Sequence, residues 1–299
     1  MRTQKDKGTI AVGGREMVLS KNMQKLVAGS STIRKLFEEG IELAKEVGAE
    51  NVYDFSLGNP AAPVPEEVKK SIYDILENRN ANFVHCYMPN AGYPEVREKV
   101  AANLNKKYNS SFTKDDIIMT VGAAGGINCV LRCLLEAEDE VLCFAPFFGE
   151  YNSYVMNFGG NLKVVPADYE TFQLNVEEAD KYITERTKAV IINNPNNPSG
   201  VVYNKETLIR LQKMLEKAEE RIGHPIYVLS DEPYRELAYD GVDVPYLTRY
   251  YANTIVGYSY SKSLSLPGER IGYLVIPDEV DDFENVICAA NVANRILGF

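Results

Sequence analysis

The chain has 299 residues, of which 45% are hydrophobic, and a formal net charge of −10. That length can bury a sizeable core, and an acidic balance without a basic patch argues against nucleic acid or an anionic membrane as a partner. No apolar run reaches the length of a membrane-spanning helix, and residues 1–14 lack the apolar stretch of a signal peptide.

Residues 1–16 fit no regular element and are expected to be disordered. Residues 30–47 predict a helix, capped by Ser31 or Thr32, with Ile33, Leu36, Phe37, Ile41 and Ala44 on one face. Residues 65–77 and 94–108 predict two more, each opened by a proline in its first turn. Residues 116–121 read as a strand that meets the small-residue run Gly122-Ala123-Ala124-Gly125-Gly126, after which a helical pattern continues to Leu135. Strands follow at 140–144 and 189–192, then an amphipathic helix at 206–221. Further strands are expected at 226–229, 254–258 and 271–276. Buried apolar strands alternating with helices predict an α/β fold with a mainly parallel sheet flanked by helices. In such sheets ligands collect at the carboxyl ends of the strands. The polar signatures of this chain stand there, after Val121, Phe144, Ile192, Leu229 and Tyr258.

Cys86, Cys129, Cys133, Cys143 and Cys288 are scattered and form no CxxC pair, which fits reduced thiols in a cytoplasmic protein. Cys129 and Cys133, four apart on a predicted helix, read as small core residues. The histidines are His85 and His224, without a His/Cys cluster, so no metal site is expected. No Gly-x-Ser-x-Gly turn supports a serine nucleophile.

The segment after the strand at 254–258 carries the most chemistry: Ser259-Tyr260-Ser261-Lys262-Ser263, with Arg270 eight positions beyond the lysine. A lysine at a desolvated strand end has a lowered pKa and a nucleophilic amine suited to Schiff-base formation. The neighbouring hydroxyls and Arg270 are suitable donors for a phosphate. Together they point to a lysine that holds pyridoxal phosphate (PLP), the plainer alternative being a surface lysine in a Ser-rich loop. The Gly122–Gly126 run joins a strand to a helix N-terminus, where backbone N–H groups and the helix dipole bind phosphate, unless it serves only tight packing. Asn193-Asn194-Pro195-Asn196-Asn197-Pro198-Ser199-Gly200 is stiff and rich in uncharged hydrogen-bonding groups; Asn193 and Asn196 suit a purely structural turn. Asp231 follows a buried strand, where a carboxylate needs a partner; a protonated pyridine nitrogen and a helix N-terminus both qualify. Of Phe147 and Phe148, the first reads as core and the second as a stacking ring. Tyr87 lies in a polar Gly/Pro-rich loop of the kind that carries function.

These motifs, Asn-Pro-x-Asn-Pro-Ser-Gly, Asp-Glu-x-Tyr and Ser-x-Ser-Lys followed by Arg270, resemble the class I/II aminotransferases, PLP-dependent enzymes of fold type I, over residues 30–299. The resemblance implies that Lys262 carries PLP as a Schiff base and then serves as the general base. It implies that Asp231 holds the pyridine nitrogen protonated, and that Asn197 and Tyr234 bond the ring oxygen. Phe148 would stack on the ring. Ser259, Ser261, Arg270 and the N–H groups of Ala123 and Ala124 would hold the phosphate, although Gly122, Ala123 and Ala124 lack the hydroxyls many relatives have there. Tyr87 would reach the phosphate of a neighbouring subunit, implying a homodimer. Gly58, in Leu57-Gly58-Asn59-Pro60, would lie against the substrate carboxylate, with Asn197 also on the substrate side.

The activity so implied is transfer of an amino group from a small, aspartate-like amino acid to a 2-oxo acid. A PLP-dependent carbon–sulfur β-lyase and a non-catalytic PLP-binding protein are the alternatives. The implied domains are an arm with part of a small domain at 17–60, a large cofactor-binding domain at 61–285, and the start of an interdomain helix at 286–299. Family members run further at the C-terminus, through a segment with the arginine for the substrate carboxylate. The chain therefore reads as C-terminally truncated, and is expected to bind PLP weakly.

Overall fold

In the computed structural model, the described residues are 18–28, 32–53 and 58–299, and they fall in two compact units divided after Gly58. The expectations for residues 1–16, Ser31, Leu57 and the side chains of Thr32 and Ile33 lie outside what is described. The first unit contains helices α1 (Lys21–Ala28) and α2 (Thr32–Val47), the second of which fills the span predicted from its apolar spacing.

The second unit is built on a seven-stranded sheet. Its helices are α3 (Glu66–Asn78), α4 (Ala81–Val84) and α5 (Pro94–Tyr108), then α6 (Gly122–Leu134), α7 (Glu150–Asn157), α8 (Val176–Ala179), α9 (Lys205–Ile222), the one-turn α10 (Tyr260–Ser263) and α11 (Phe283–Ile296). The strands are β1 (Ile117–Val121), β2 (Glu140–Phe144), β3 (Asn161–Val165), β4 (Thr187–Asn193), β5 (Tyr227–Asp231), β6 (Thr254–Ser259) and β7 (Ile271–Val275). They lie in the order β1-β7-β6-β5-β4-β2-β3, and β7 alone runs against its neighbours β1 and β6. The mainly parallel α/β architecture expected from the sequence is therefore present. No helix among the described residues is long and apolar enough to cross a membrane.

Both faces of the sheet are apolar because side chains alternate along each strand. Val141, Cys143, Ala189, Ile191, Leu229, Ile255 and Leu274 pack with Ile127, Leu131, Val155 and Ala290 of α6, α7 and α11. Their neighbours Leu142, Val190, Ile192 and Val228 pack with Leu208, Leu211 and Leu215 of α9. At the β1 end, Ile117, Val256, Tyr273 and Val275 meet Val100 and Leu104 of α5. Cys129 is buried in the first of these clusters and Cys133 packs against it, as their spacing predicted.

The register brings the strand ends into one row. Asn193 of β4 faces Asp231 of β5, Asp231 faces Gly257 of β6, and Ser259 faces Gly272 of β7. The row closes tightly: a Cβ on Gly272 would stand 2.4 Å from the Tyr258 carbonyl oxygen and 2.7 Å from the Gly122 carbonyl carbon. Both obstacles are backbone, so nothing can swing aside. Gly272→Ala should therefore destabilise the fold by about 3 kcal/mol or more, read as a lowered urea midpoint with an unchanged slope.

The structure departs from the sequence reading in several places. α1, α4, α7, α8 and β3 have no counterpart in it: β3 is an edge strand with one fully buried residue, so it has no apolar run, and the helices are short. β5 extends through Asp231, which makes the carboxylate part of the sheet rather than of a following turn. Lys262 sits on the helical turn α10, not in an open loop, because the Ser259 hydroxyl caps that turn by accepting from the Ser261 N–H at 3.1 Å.

Candidate active site

Asn197, Asp231, Tyr234, Ser259, Ser261 and Lys262 stand at or just past the carboxyl ends of β4, β5 and β6; Ala123 and Ala124 open α6, Phe148 follows β2 and Arg270 precedes β7. Asp231 is almost wholly buried. The fully buried Tyr151, on α7, donates its hydroxyl proton to Asp231 Oδ2 at 2.6 Å, while Oδ1 has no protein partner. Burial pushes the Asp231 carboxyl up to about 6; the Tyr151 bond opposes this, and the Glu232 carboxylate adds to it. One oxygen is thus held in place and the other left open in a dry setting, an arrangement that favours a cationic N–H donor.

Asn193 organises the neighbouring turn. Its Nδ2 donates to the Asp231 carbonyl at 2.8 Å, and its Oδ1 accepts from the Asn197 backbone N–H at 2.6 Å. That clamp points the Asn197 side chain at Tyr234, whose hydroxyl accepts from Asn197 Nδ2 at 3.1 Å. Asn196 instead accepts from the Ser199 N–H and hydroxyl, closing the turn on itself. Asn193 and Asn196 are thus bonded within the turn itself, while the Asn197 side chain is directed at Tyr234. The Tyr234 hydroxyl is held above its usual pKa by burial and by the Asp231 charge, against the lowering effect of the Asn197 bond.

Lys262 Nζ lies 5.9 Å from the centre of the Tyr234 ring. The side chain is half-buried, and desolvation holds its amine below the ordinary lysine pKa. Ser259 and Ser261 are buried and bonded hydroxyl to hydroxyl at 2.7 Å. Arg270 has a left-handed backbone, φ 56°, and one guanidinium nitrogen donates to the Pro267 carbonyl at 3.0 Å. Its other terminal nitrogen would stand 3.2 Å from a Cβ placed on Gly122. The cation therefore lies against the first residue of α6, where unpaired N–H groups and the helix dipole already favour an anion. Gly122 has φ 68°, which glycine adopts without strain. Ala123 and Ala124 follow it in the first turn.

Phe148 is half-buried and meets Tyr151 edge to face, 5.7 Å between ring centres; Phe147 lies parallel to the same ring at 6.5 Å. Tyr87 is fully exposed in the loop before α5. Gly58 belongs to the first unit, and the other predicted site residues belong to the second. Tyr151 was missed by the sequence reading. Its signal is faint: a buried tyrosine needs a hydroxyl partner, but nothing local in the sequence identifies that partner as Asp231. Tyr151→Phe should cost about 2 kcal/mol of stability at pH 8, where Asp231 is ionised, and less at pH 4.5, where it is protonated. Urea unfolding at the two pH values checks this.

Residues 49–297 match the family described as aminotransferase class I and II. The chain is 35% identical to aromatic-amino-acid aminotransferase 2 of Thermococcus litoralis, covering 88% of the chain and 64% of that protein. It is 34% identical to the aspartate aminotransferase of Pyrococcus abyssi, covering 83% of the chain and 61% of the relative. Among solved structures, an amino transferase of Eubacterium rectale is 46% identical, with a TM-score of 0.90 over 95% of this chain and 72% of that one. The aspartate aminotransferase of Thermus thermophilus with maleate is 28% identical, with a TM-score of 0.80 over 94% of this chain and 69% of that one. The chain belongs to the class I and II aminotransferases. It spans 56–64% of the length of the curated relatives it matches.

Members of this family use pyridoxal phosphate. The residues present fit that group: an unpartnered buried carboxylate oxygen for the pyridinium N–H, a desolvated lysine amine, and a cation against a helix N-terminus for the phosphate.

Proposed function

We propose that the chain is the PLP-binding part of an aminotransferase that moves the α-amino group of a small amino acid to a 2-oxo acid. The observation that carries this reading is Asp231 Oδ1, buried without a protein partner, beside the Asn197–Tyr234 pair that Lys262 approaches. When bound, PLP supplies an aldehyde that takes up the amino group and a ring that withdraws electrons from the substrate α-carbon.

The chain's own residues do the rest. Asp231, ionised above about pH 6, keeps the pyridine nitrogen protonated. Asn197 Nδ2 and the Tyr234 hydroxyl hold the ring oxygen, and Phe148 covers the ring face. Arg270, the Ser259 and Ser261 hydroxyls and the N–H groups of Ala123 and Ala124 hold the phosphate. Lys262 would hold the aldehyde carbon and, once the substrate amine has displaced it, its free amine would take the proton from the substrate α-carbon and deliver it to the carbon that accepts the amino group. Its depressed pKa leaves more of the amine unprotonated at neutral pH. The first product, a 2-oxo acid, leaves before the second substrate enters, so ping-pong kinetics are expected.

Relatives named for aspartate and for aromatic amino acids favour a donor in that range, with aspartate first. The exposure of Tyr87 supports a homodimer in which it reaches the neighbouring phosphate. Gly58 is assigned to the substrate carboxylate side on its sequence motif alone. The free cysteines support a cytoplasmic setting. The test is an absorption spectrum of the chain with PLP. A yellow band that requires Lys262 and is bleached by aspartate supports the reading; its absence with intact folded protein would overturn it.

A further inference from the structure

Behind the turn that carries Asp231 and Tyr234 lies a charged pair that the proposed chemistry does not use. Glu232 and Arg235 are the sequence neighbours of those two residues, and both are almost completely buried. Arg235 Nε donates to Glu232 Oε2 at 2.5 Å, one terminal nitrogen donates to the Val244 carbonyl at 2.8 Å, and the other to the Pro245 carbonyl at 3.1 Å. The remaining Glu232 oxygen accepts from the Ser230 hydroxyl at 2.7 Å, and the Glu232 N–H donates to Gly257 of β6 at 2.9 Å. The guanidinium also stands 5.0 Å and 4.9 Å from the ring centres of Tyr108 and Tyr246, which stack on each other at 4.3 Å.

A buried ion pair contributes little net stability, because desolvating two charges roughly cancels their attraction. What this one supplies is geometry. The turn sends Asp231 toward Tyr151 and Tyr234 toward Asn197, while Glu232 and Arg235 go the other way, to Ser230, the 244–245 backbone and the tyrosine stack. Every polar arm of the guanidinium is spent on a different anchor, so the backbone between residues 231 and 235 is tied to β6 and to the 244–245 segment.

We infer that the Glu232–Arg235 pair is a positioning device that fixes the Tyr234 hydroxyl opposite Asn197 and the Asp231 carboxylate at the end of β5. Its role in cofactor binding rests on the PLP reading; its role in placing Tyr234 does not. A lysine at position 235 can keep the charge pair but cannot reach all three anchors. If the pair only stabilises the fold, a folded variant keeps the parental Tyr234 environment; if it positions Tyr234, that environment changes in the folded variant.

The test uses Arg235→Lys in the full chain, with Glu232→Gln/Arg235→Met as a second variant that removes both charges at similar volume. In the chain without PLP, the 13C-labelled side-chain signal of Tyr234, assigned by its loss in Tyr234→Phe, is expected to shift in both variants. The thermal midpoint of Arg235→Lys is expected to fall, because buried carbonyls lose their donors, so the Tyr234 signals are compared below that midpoint. With PLP, the dissociation constant should rise about tenfold, the equivalent of one lost hydrogen bond. A folded Arg235→Lys, or a folded double variant, with the parental Tyr234 signal overturns the inference. A parent chain that binds no PLP defeats the functional reading instead, and the Tyr234 signal still decides this one.

Discussion

Lys262→Ala should abolish amino-group transfer, by roughly four orders of magnitude, while PLP still binds without a covalent link. The size of the effect follows from two roles falling on one amine. On the proposed reading the amine both holds the aldehyde carbon and moves the α-proton, and alanine removes both together. Binding should survive in part because the contacts assigned to the ring and phosphate come from other residues: Asp231, Arg270, Ser259, Ser261 and the start of α6. Folding of the variant is checked by its circular-dichroism spectrum and thermal midpoint, so that loss of turnover is read on folded protein. The checks are a coupled assay with aspartate and a 2-oxo acid, and equilibrium dialysis of PLP. Turnover within tenfold of the parent would remove Lys262 from the chemistry.

Asp231→Asn should act in opposite directions on function and on stability. The buried carboxyl has its pKa raised from 3.8 to about 6 by desolvation. A folded-state pKa above the unfolded value means that the folded chain holds the proton more tightly. The stabilising contribution is therefore full below about pH 4 and is lost as the pH rises through 6. Across that window the loss amounts to about 3 kcal/mol. Asparagine keeps an acceptor for the Tyr151 hydroxyl but carries no charge. The PLP-free variant should thus gain about 3 kcal/mol relative to the parent between pH 4 and pH 8. Its PLP affinity should fall between tenfold and a hundredfold, the worth of a charged hydrogen bond. Turnover should fall at least a hundredfold, because the ring loses a fixed charge aimed at its nitrogen. Urea unfolding of both PLP-free proteins across the pH range gives the first result, and PLP titration the second. Flat pH dependence in the parent would show that Asp231 is not held at a raised pKa.

The two effects share a cause. A carboxylate placed in a dry sheet end with one oxygen unpartnered is a cost to the empty fold, and a cation is what relieves it. Asp231, the Tyr151 hydroxyl and the clamp at Asn193 together make a place prepared for something positively charged.

Much of this was legible in the chain. The apolar runs at 140–144 and 189–192 are central strands buried on both faces, where an unbroken hydrophobic stretch has few other uses. The helices at 94–108 and 206–221 carry their own start and stop signals: a proline at the first turn of α5, and Asn204 and Gly223 at the two ends of α9. Lys262 and Arg270 stood out as a lysine past a buried strand with an arginine eight residues on, and Asp231 as a carboxylate after a buried strand; Asn197 and Tyr234 entered through the motifs of the family resemblance.

What the sequence determined by itself was therefore local or periodic: strands, helices, caps, and polar residues stranded at strand ends. Tertiary structure alone decided which strand ends meet. Register sets Asn193 beside Asp231 and Asp231 beside Gly257, and no local signal encodes a pairing between segments so far apart. The same holds for Tyr151, which lies 80 residues from the carboxylate it bonds. A hydrogen bond between distant residues leaves no periodicity in the chain, because its geometry exists only once the sheet has brought its two ends together.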